Sequence, residues 1–382
     1  MQSLTQFLAR QRALSLYRER HVVAGPQGVE ITVDGRQVVA FCSNDYLGLA
    51  NHPEVVAALA DGARLYGAGS GASHLISGHS IAHQRLEEAL AEFTGRPRAL
   101  LFSTGYMANL GVPAALVGRG DTVFEDRLNH ASLIDGARLS RARLRRYPHG
   151  DVAVLEAWLS RHRTGDALIA SDGVFSMDGD LAPVNSLTAL AGRHGAWLMI
   201  DDAHGLGIMG ADGRGSITQC PSPVDDHVIL IGTLGKAFGT FGAFVAGSTE
   251  LIEYLIQRAR TYIYTTALPP AVAHATLTSL RLVREEGWRR THLHALITRL
   301  RTGLARFNLP LTAAPTPIQP VVVGDADRAS TLSQALLQRG LLIPAIRPPT
   351  VPKGGARLRI TLSAAHQSGH VDRLIDELAR LL

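Results

Sequence analysis

Lysine is almost missing from this chain. Of its 38 basic residues only Lys236 and Lys353 are lysines, which leaves 36 arginines, so chemistry that needs a primary amine on a side chain has two candidates. Cysteine is as scarce. Cys42 and Cys220 are too few for a disulfide framework, which agrees with a reducing compartment, and neither stands in a metal-ligand spacing. No apolar run approaches the roughly eighteen residues of a membrane span and no signal-peptide core opens the sequence, which predicts a cytoplasmic protein with no membrane partner. A G-x-S-x-G elbow is absent as well, so a serine hydrolase has no support.

What is present is ordinary for a folded protein. The 382 residues are 46% hydrophobic and 19% charged, enough for a large core divided over two or three domains. The positive charge is modest, +5, but Arg138, Arg141, Arg143, Arg145 and Arg146 form a dense basic cluster. Such a cluster could face nucleic acid or a phosphorylated ligand. In a chain where arginine carries nearly all the positive charge we read it as a solvated face, and expect no nucleic-acid partner. His79 and His83 stand four apart, as zinc pairs do, yet no Glu follows His79 and no third ligand is evident. We expect no metal.

Lys236 is the better of the two amines. It lies in Gly232-Thr233-Leu234-Gly235-Lys236-Ala237-Phe238-Gly239, directly after the apolar run Val228-Ile229-Leu230-Ile231, which reads as a buried parallel strand. In open α/β sheets ligands collect beyond the carboxyl ends of strands. Lys353 sits instead in the loop composition Val351-Pro352-Lys353-Gly354-Gly355. An amine at a strand end can form a Schiff base, and the cofactor that most often needs one is pyridoxal phosphate, whose ring nitrogen also wants an acidic partner. Thirty-five residues upstream, Ala196-Trp197-Leu198-Met199-Ile200 runs into Asp201-Asp202-Ala203-His204-Gly205, which supplies a carboxylate at another strand end.

Along the chain, a helix-forming start with Phe7, Leu8, Leu14 and Leu16 carries no acid before Glu19 and fits an organelle leader as well as a docking helix. Alternating segments around Asp34-Gly35 predict a hairpin. Helices follow over Pro53–Tyr66 and Ile81–Phe93, separated by the glycine-rich stretch Gly67 to Ser80. Strand, polar cluster and helix then alternate, with clusters at Ser103–Asn109, Asn129–Ser132 and Asp172–Asp180. The helix start at Gly105 suits a phosphate. Gly205 to Gly210 matches G-x-G-x-x-G, but the following Ala211 to Ser216 cannot begin a helix, so a nicotinamide site is set aside. A long helical stretch runs from Pro270 to Leu304. Beyond it, strands near Gln319–Val323, Leu341–Ile346 and Arg357–Leu362 and helices near Ala329–Gln338 and Val371–Leu382 read as a small α+β domain.

With these motifs in place, the chain resembles the α-oxoamine synthases nearly end to end. These are fold type I pyridoxal phosphate enzymes that condense an amino acid with an acyl thioester and lose carbon dioxide. The resemblance rests on Ser43-Asn44-Asp45-Tyr46-Leu47-Gly48, on Gly173-Val174-Phe175-Ser176-Met177-Asp178-Gly179-Asp180, and on Ala345-Ile346-Arg347-Pro348-Pro349-Thr350-Val351-Pro352. The last motif is the most specific, and resembles the branch that joins L-alanine to a pimeloyl thioester on coenzyme A or acyl carrier protein. His74 also stands where glycine-using branches carry arginine. The fold implied is aminotransferase-like α/β: an N-terminal helix and hairpin segment (1–47), a large, mostly parallel, doubly wound sheet domain (48–285) and a small α+β domain (286–382).

The resemblance further implies that Lys236 is the Schiff-base lysine, that Asp201 pairs with the pyridine nitrogen, that His204 bonds the phenolic oxygen and that His130 stacks on the ring. Gly105, Tyr106, Ser176 and Thr233 fall at cofactor positions, and Arg18, Asn44, His130, Thr350 and Arg359 at substrate positions. Arg359 is the expected holder of the amino acid carboxylate. Arg357 shares its strand face, and spacing alone does not choose between them. A homodimer with a shared active site is implied too, through the segment Tyr264-Thr265-Thr266-Ala267-Leu268-Pro269.

Overall fold

The computed structural model describes residues 3–14, 16–162, 164–220, 224–307 and 314–382. The chain forms two compact units, one from Leu49–Ser176 and Leu181–Gly287, the other from Met1–Gly48, Met177–Asp180 and Trp288–Leu382.

The first unit is built on a seven-stranded sheet. Its strands are β1 (Arg98–Phe102), β2 (Thr122–Asp126), β3 (Arg143–Tyr147), β4 (Ala167–Asp172), β5 (Trp197–Asp201), β6 (Val228–Thr233) and β7 (Ala243–Gly247), in the spatial order β1-β7-β6-β5-β4-β2-β3. From β6 to β3 every pair is parallel, and β7 alone runs against both its neighbours. The apolar runs predicted as buried parallel strands are buried on both faces: no residue from Leu168 to Ala170 or from Val228 to Ile231 is more than 1% exposed. This is the large, mostly parallel sheet that the sequence implied. β3 was not foreseen as a strand. Arg143, Arg145 and Arg146 lie on it at the sheet edge, where charge can stay in water and discourages pairing with another sheet.

Two helices cross tightly above this sheet, Gly105–Leu116 and Ala131–Ser140. A Cβ on Gly136 would stand 2.1 Å from the carbonyl oxygen of Asn109, so only glycine lets the helices meet there. No helix opens after Gly205–Gly210. The chain turns through to a short 3₁₀ segment at Ser216–Gln219, which agrees with setting the dinucleotide motif aside.

In the second unit, Asp34 and Gly35 both adopt positive φ, 48° and 79°, the turn that matches the twist of a hairpin. The hairpin Glu30–Val33 and Arg36–Ala40 is not an isolated ribbon. Val23–Ala24 joins one side and Leu341–Leu342 pairs in parallel with the other. The single strand expected over Leu341–Ile346 is therefore two. Pro344, which has no N–H to give to a ladder, separates Leu341–Leu342 from Ala345–Ile346, and the latter pairs instead with Ala356–Thr361 in a three-stranded sheet. The helix Leu4–Ala13 forms, but none of its residues is buried. No described helix is long and apolar enough to cross a membrane.

Candidate active site

Because β4, β5 and β6 are parallel and in register, their carboxyl ends place polar side chains at one level. Asp172 is the ladder partner of Asp201, and Asp201 of Ile231. From the turn after β6, Lys236 reaches back so that its Nζ lies 2.8 Å from Nε2 of His204. Lys353, the other lysine, is exposed in a loop of the second unit.

Asp201 is 7% exposed and well bound. Its Oδ1 accepts the Ala203 amide at 3.0 Å and its Oδ2 accepts Nδ2 of Asn109 at 2.6 Å. The second hydrogen of that amide goes to Ser132 Oγ at 2.8 Å, and Ser132 Oγ lies 2.6 Å from Nδ1 of His130. Four side chains thus form one line, Asp201, Asn109, Ser132 and His130. Asn109 and Ser132 come from the two helices that Gly136 allows to meet.

His130 is also held by its backbone, whose N–H donates to Asp172 Oδ2 at 2.8 Å. Its Nδ1 accepts the Ser132 amide at 3.3 Å, which leaves the ring proton on Nε2. Desolvation by the surrounding walls lowers the His130 pKa, and Lys236 lowers it further, against an opposing pull from Asp201. The ring is therefore a neutral donor through Nε2–H. Burial pushes Asp172 well above the usual carboxylate range, and the adjacent Asp201 charge pushes it the same way.

Asp202 is turned elsewhere. Cβ atoms on Gly173, Gly205 and Gly215 would come within 2.5, 2.1 and 1.9 Å of its carboxylate oxygens, so three glycines make room for it, and the Ser216 amide donates to Oδ2 at 2.6 Å. Burial raises its pKa to about 7.

The remaining predicted residues divide between the units. In the first, Gly105 and Tyr106 open the helix capped by Thr104, whose Oγ1 accepts the Met107 amide at 3.2 Å. First-turn amides have no acceptor within the helix. Tyr106 bonds Asp135 and meets the His130 ring edge-on at 6.5 Å. Thr233 Oγ1 donates to the Gly242 carbonyl at 3.2 Å, and Ser176 lies in the turn after β4. In the second unit, Arg359 is 6% exposed and reaches Thr361 Oγ1 at 3.1 Å and Asn44 Oδ1 at 3.5 Å. Arg357 on the same face pairs with Asp178 at 2.5 Å. Arg18 and Thr350 line one cavity of about 700 Å³, together with Arg12, Tyr17 and Arg347.

Sequence reasoning missed Asn109, Ser132 and Asp172 as supporting groups. Each lies in a strand-end polar cluster that the sequence displayed, but pairing across 92 residues, as between Asn109 and Asp201, follows from topology alone. The first unit fits pyridoxal phosphate by its donor set. An amine, an imidazole beside it, a buried carboxylate at a strand end and a helix N-terminus are the groups that an aldehyde, a phenol, a pyridine nitrogen and a phosphate require.

The family model for class I and II aminotransferases matches residues 36–378. An 8-amino-7-oxononanoate synthase from Stutzerimonas stutzeri is 62% identical over 376 residues, 98% of this chain and 96% of that protein. The chain belongs to the 8-amino-7-oxononanoate synthase family. Among solved structures, a serine palmitoyltransferase from Sphingomonas wittichii superposes with a TM-score of 0.93 at 33% identity, covering 98% of this chain and 96% of that one. Another serine palmitoyltransferase structure, holding pyridoxal phosphate as an internal aldimine, also gives 0.93 at 30% identity, covering 99% and 96%.

The two neighbouring acids separate by experiment. Asp201→Asn removes the charge that faces Asn109 and lowers turnover at least about a hundredfold, whereas Asp202→Asn keeps turnover within a few-fold. Asp202 has a raised folded pKa, so its contribution to stability is complete below about pH 4, the unfolded value, and is lost as pH rises through about 7. An asparagine does not titrate. The melting temperature of Asp202→Asn relative to the parent therefore climbs between pH 5 and 7.5 on the scale of those pKa values and levels beyond. A crippling Asp202→Asn with a mild Asp201→Asn would reverse the assignment.

Proposed function

We propose that the protein condenses L-alanine with a pimeloyl thioester, releasing carbon dioxide and the free thiol carrier and giving 8-amino-7-oxononanoate, a step of biotin biosynthesis, in the cytoplasm. The observation that carries the chemistry is Lys236 Nζ against His204, with Asp201 on the neighbouring strand. The acyl and amino acid identities are those of the relatives' enzyme name and of the resemblance on Arg347 to Pro352.

Pyridoxal phosphate, when bound, supplies an electron-withdrawing ring that stabilises negative charge on the α carbon of the amino acid. The chain does the rest. Lys236 holds the group and, once its amine is free, takes the α proton at Nζ and later returns one. His204 orients that amine. Asp201 would keep a proton on the ring nitrogen, and Gly105, Tyr106, Thr233 and Ser176 would contact the phosphate or the ring, the helix start at Gly105 suiting the phosphate.

The α carbon then bonds to the thioester carbonyl carbon, the thiolate departs with a proton, and the β-keto acid loses its carboxyl group as carbon dioxide. His130, a neutral Nε2–H donor anchored by Ser132 and Asp172, polarises the new carbonyl. Arg359, with Asn44 beside it, holds the substrate carboxylate by a bidentate pair. Arg18 and Thr350 border the acyl chain in the cavity they share.

Turnover of alanine, glycine and serine against pimeloyl, acetyl, succinyl and palmitoyl thioesters tests the pair. Alanine with pimeloyl gives the fastest product formation; a faster reaction of glycine with acetyl-CoA would place the protein in the glycine C-acetyltransferase branch. The same reading includes a homodimer with a shared active site, to which Tyr264 to Pro269 of each copy contributes. Light scattering on fully active enzyme gives twice the chain mass, and a mass of one chain would exclude it.

A further inference from the structure

We infer that His74, His79 and His83 form a binding site for one divalent late transition-metal ion. Sequence spacing offered only the pair at 79 and 83. The structure adds a third ring, because His74–Gly78 winds as a single π-helical turn and folds His74 back beside the start of the Ile81–Thr94 helix. The turn is tight: a Cβ on Gly78 would meet the Ala72 carbonyl at 2.1 Å. One ring nitrogen from each histidine lies within 4.8 Å of the other two, the one such group among the described residues.

Hydrogen bonds fix which nitrogens are available. His83 Nε2 donates to the Leu268 carbonyl at 2.7 Å, so its lone pair is on Nδ1, which accepts the Ser80 amide at 3.0 Å. His79 Nε2 faces the Gln84 side-chain oxygen at 3.4 Å, which leaves the His79 lone pair on Nδ1. That Nδ1 lies 2.9 Å from Nδ1 of His74, a distance that requires one proton between them. In a tetrahedral centre with bonds of about 2.0–2.1 Å, ligating nitrogens stand roughly 3.3 Å apart. A metal ion can thus replace that proton if the pair opens by a few tenths of an ångström, while at His83 Nδ1 it competes with two neutral contacts from Ser80, its amide and its hydroxyl, each at 3.0 Å.

The surroundings orient the rings as supporting groups do around metal ligands. Leu268 and Gln84 hold the far nitrogens of His83 and His79, and the Tyr262 ring stacks on His74 with centroids 5.0 Å apart and planes at 13°. The donors are three imidazoles with no carboxylate, which selects zinc, nickel, cobalt or copper over magnesium or calcium. The fourth position is left for water. An ion here would tie the His74–Gly78 turn to the Ile81–Thr94 helix and supplies no chemistry to Lys236. The inference stands apart from the proposed reaction.

Calorimetric titration of tag-free, chelator-stripped holoenzyme with Zn²⁺ and with Mg²⁺ tests the site. Zn²⁺ binds at one equivalent per chain and Mg²⁺ shows no saturable heat. His79→Ala, at a half-buried position in the turn, and His83→Gln each weaken Zn²⁺ binding at least about tenfold. Should His83→Gln fail to fold, His79→Ala decides. No one-equivalent Zn²⁺ uptake by the parent protein, equal affinity in His79→Ala, or equal uptake of Mg²⁺ would each overturn the inference.

Discussion

Everything in the candidate site hangs on the shared register of β4, β5 and β6. Three parallel strands that end at one level set Asp172 beside Asp201, and the turn after β6 returns an amine toward His204. Two carboxylates so close in a buried place disfavour each other's charge. The fold resolves the conflict by unequal support. Asp201 receives the side chain of Asn109 and the Ala203 amide, while Asp172 is pushed toward its protonated form and uses Oδ2 to accept the His130 amide. Asp202 lies in a separate glycine-lined recess, also biased toward neutrality.

The same register explains how far the sequence could be read. Lys236 was legible because lysine is otherwise nearly absent and because it follows an unbroken apolar run. Asp201 and His204 were legible for the second reason. The hairpin at Asp34-Gly35 was legible because only a few residue types accept positive φ at two successive positions. Two elements were not. β3 is an arginine-bearing edge strand whose pattern matches a solvated face, and the split of Leu341–Ile346 depends on which partner strands lie on either side of Pro344. The supporting residues were hidden for the same reason. Asn109 reaches Asp201, and Ser132 reaches Asn109, only after two helices cross at Gly136.

Arg357 and Arg359 show where structure adds what periodicity lacked. Both lie on one face of the Ala356–Thr361 strand and both are buried. Arg357 is joined to the Asp178 carboxylate and to the carbonyl oxygens of Met177 and Gly355, which makes it a structural clamp within its unit. Arg359 stands beside Asn44 from the Ser43-Asn44-Asp45 motif, so a sequence motif and a strand position separated by more than three hundred residues converge on one guanidinium.

The central claim is that Lys236, with His204 at its amine and Asp201 on the next strand, is the attachment point of pyridoxal phosphate. Borohydride reduction of the yellow holoenzyme followed by peptide mass spectrometry tests it most directly. The account predicts a pyridoxyl adduct on the peptide carrying Lys236, none on the peptide carrying Lys353, and loss of the adduct in Lys236→Ala. A colourless protein that takes up no added pyridoxal phosphate, or an adduct that persists in Lys236→Ala, would contradict it.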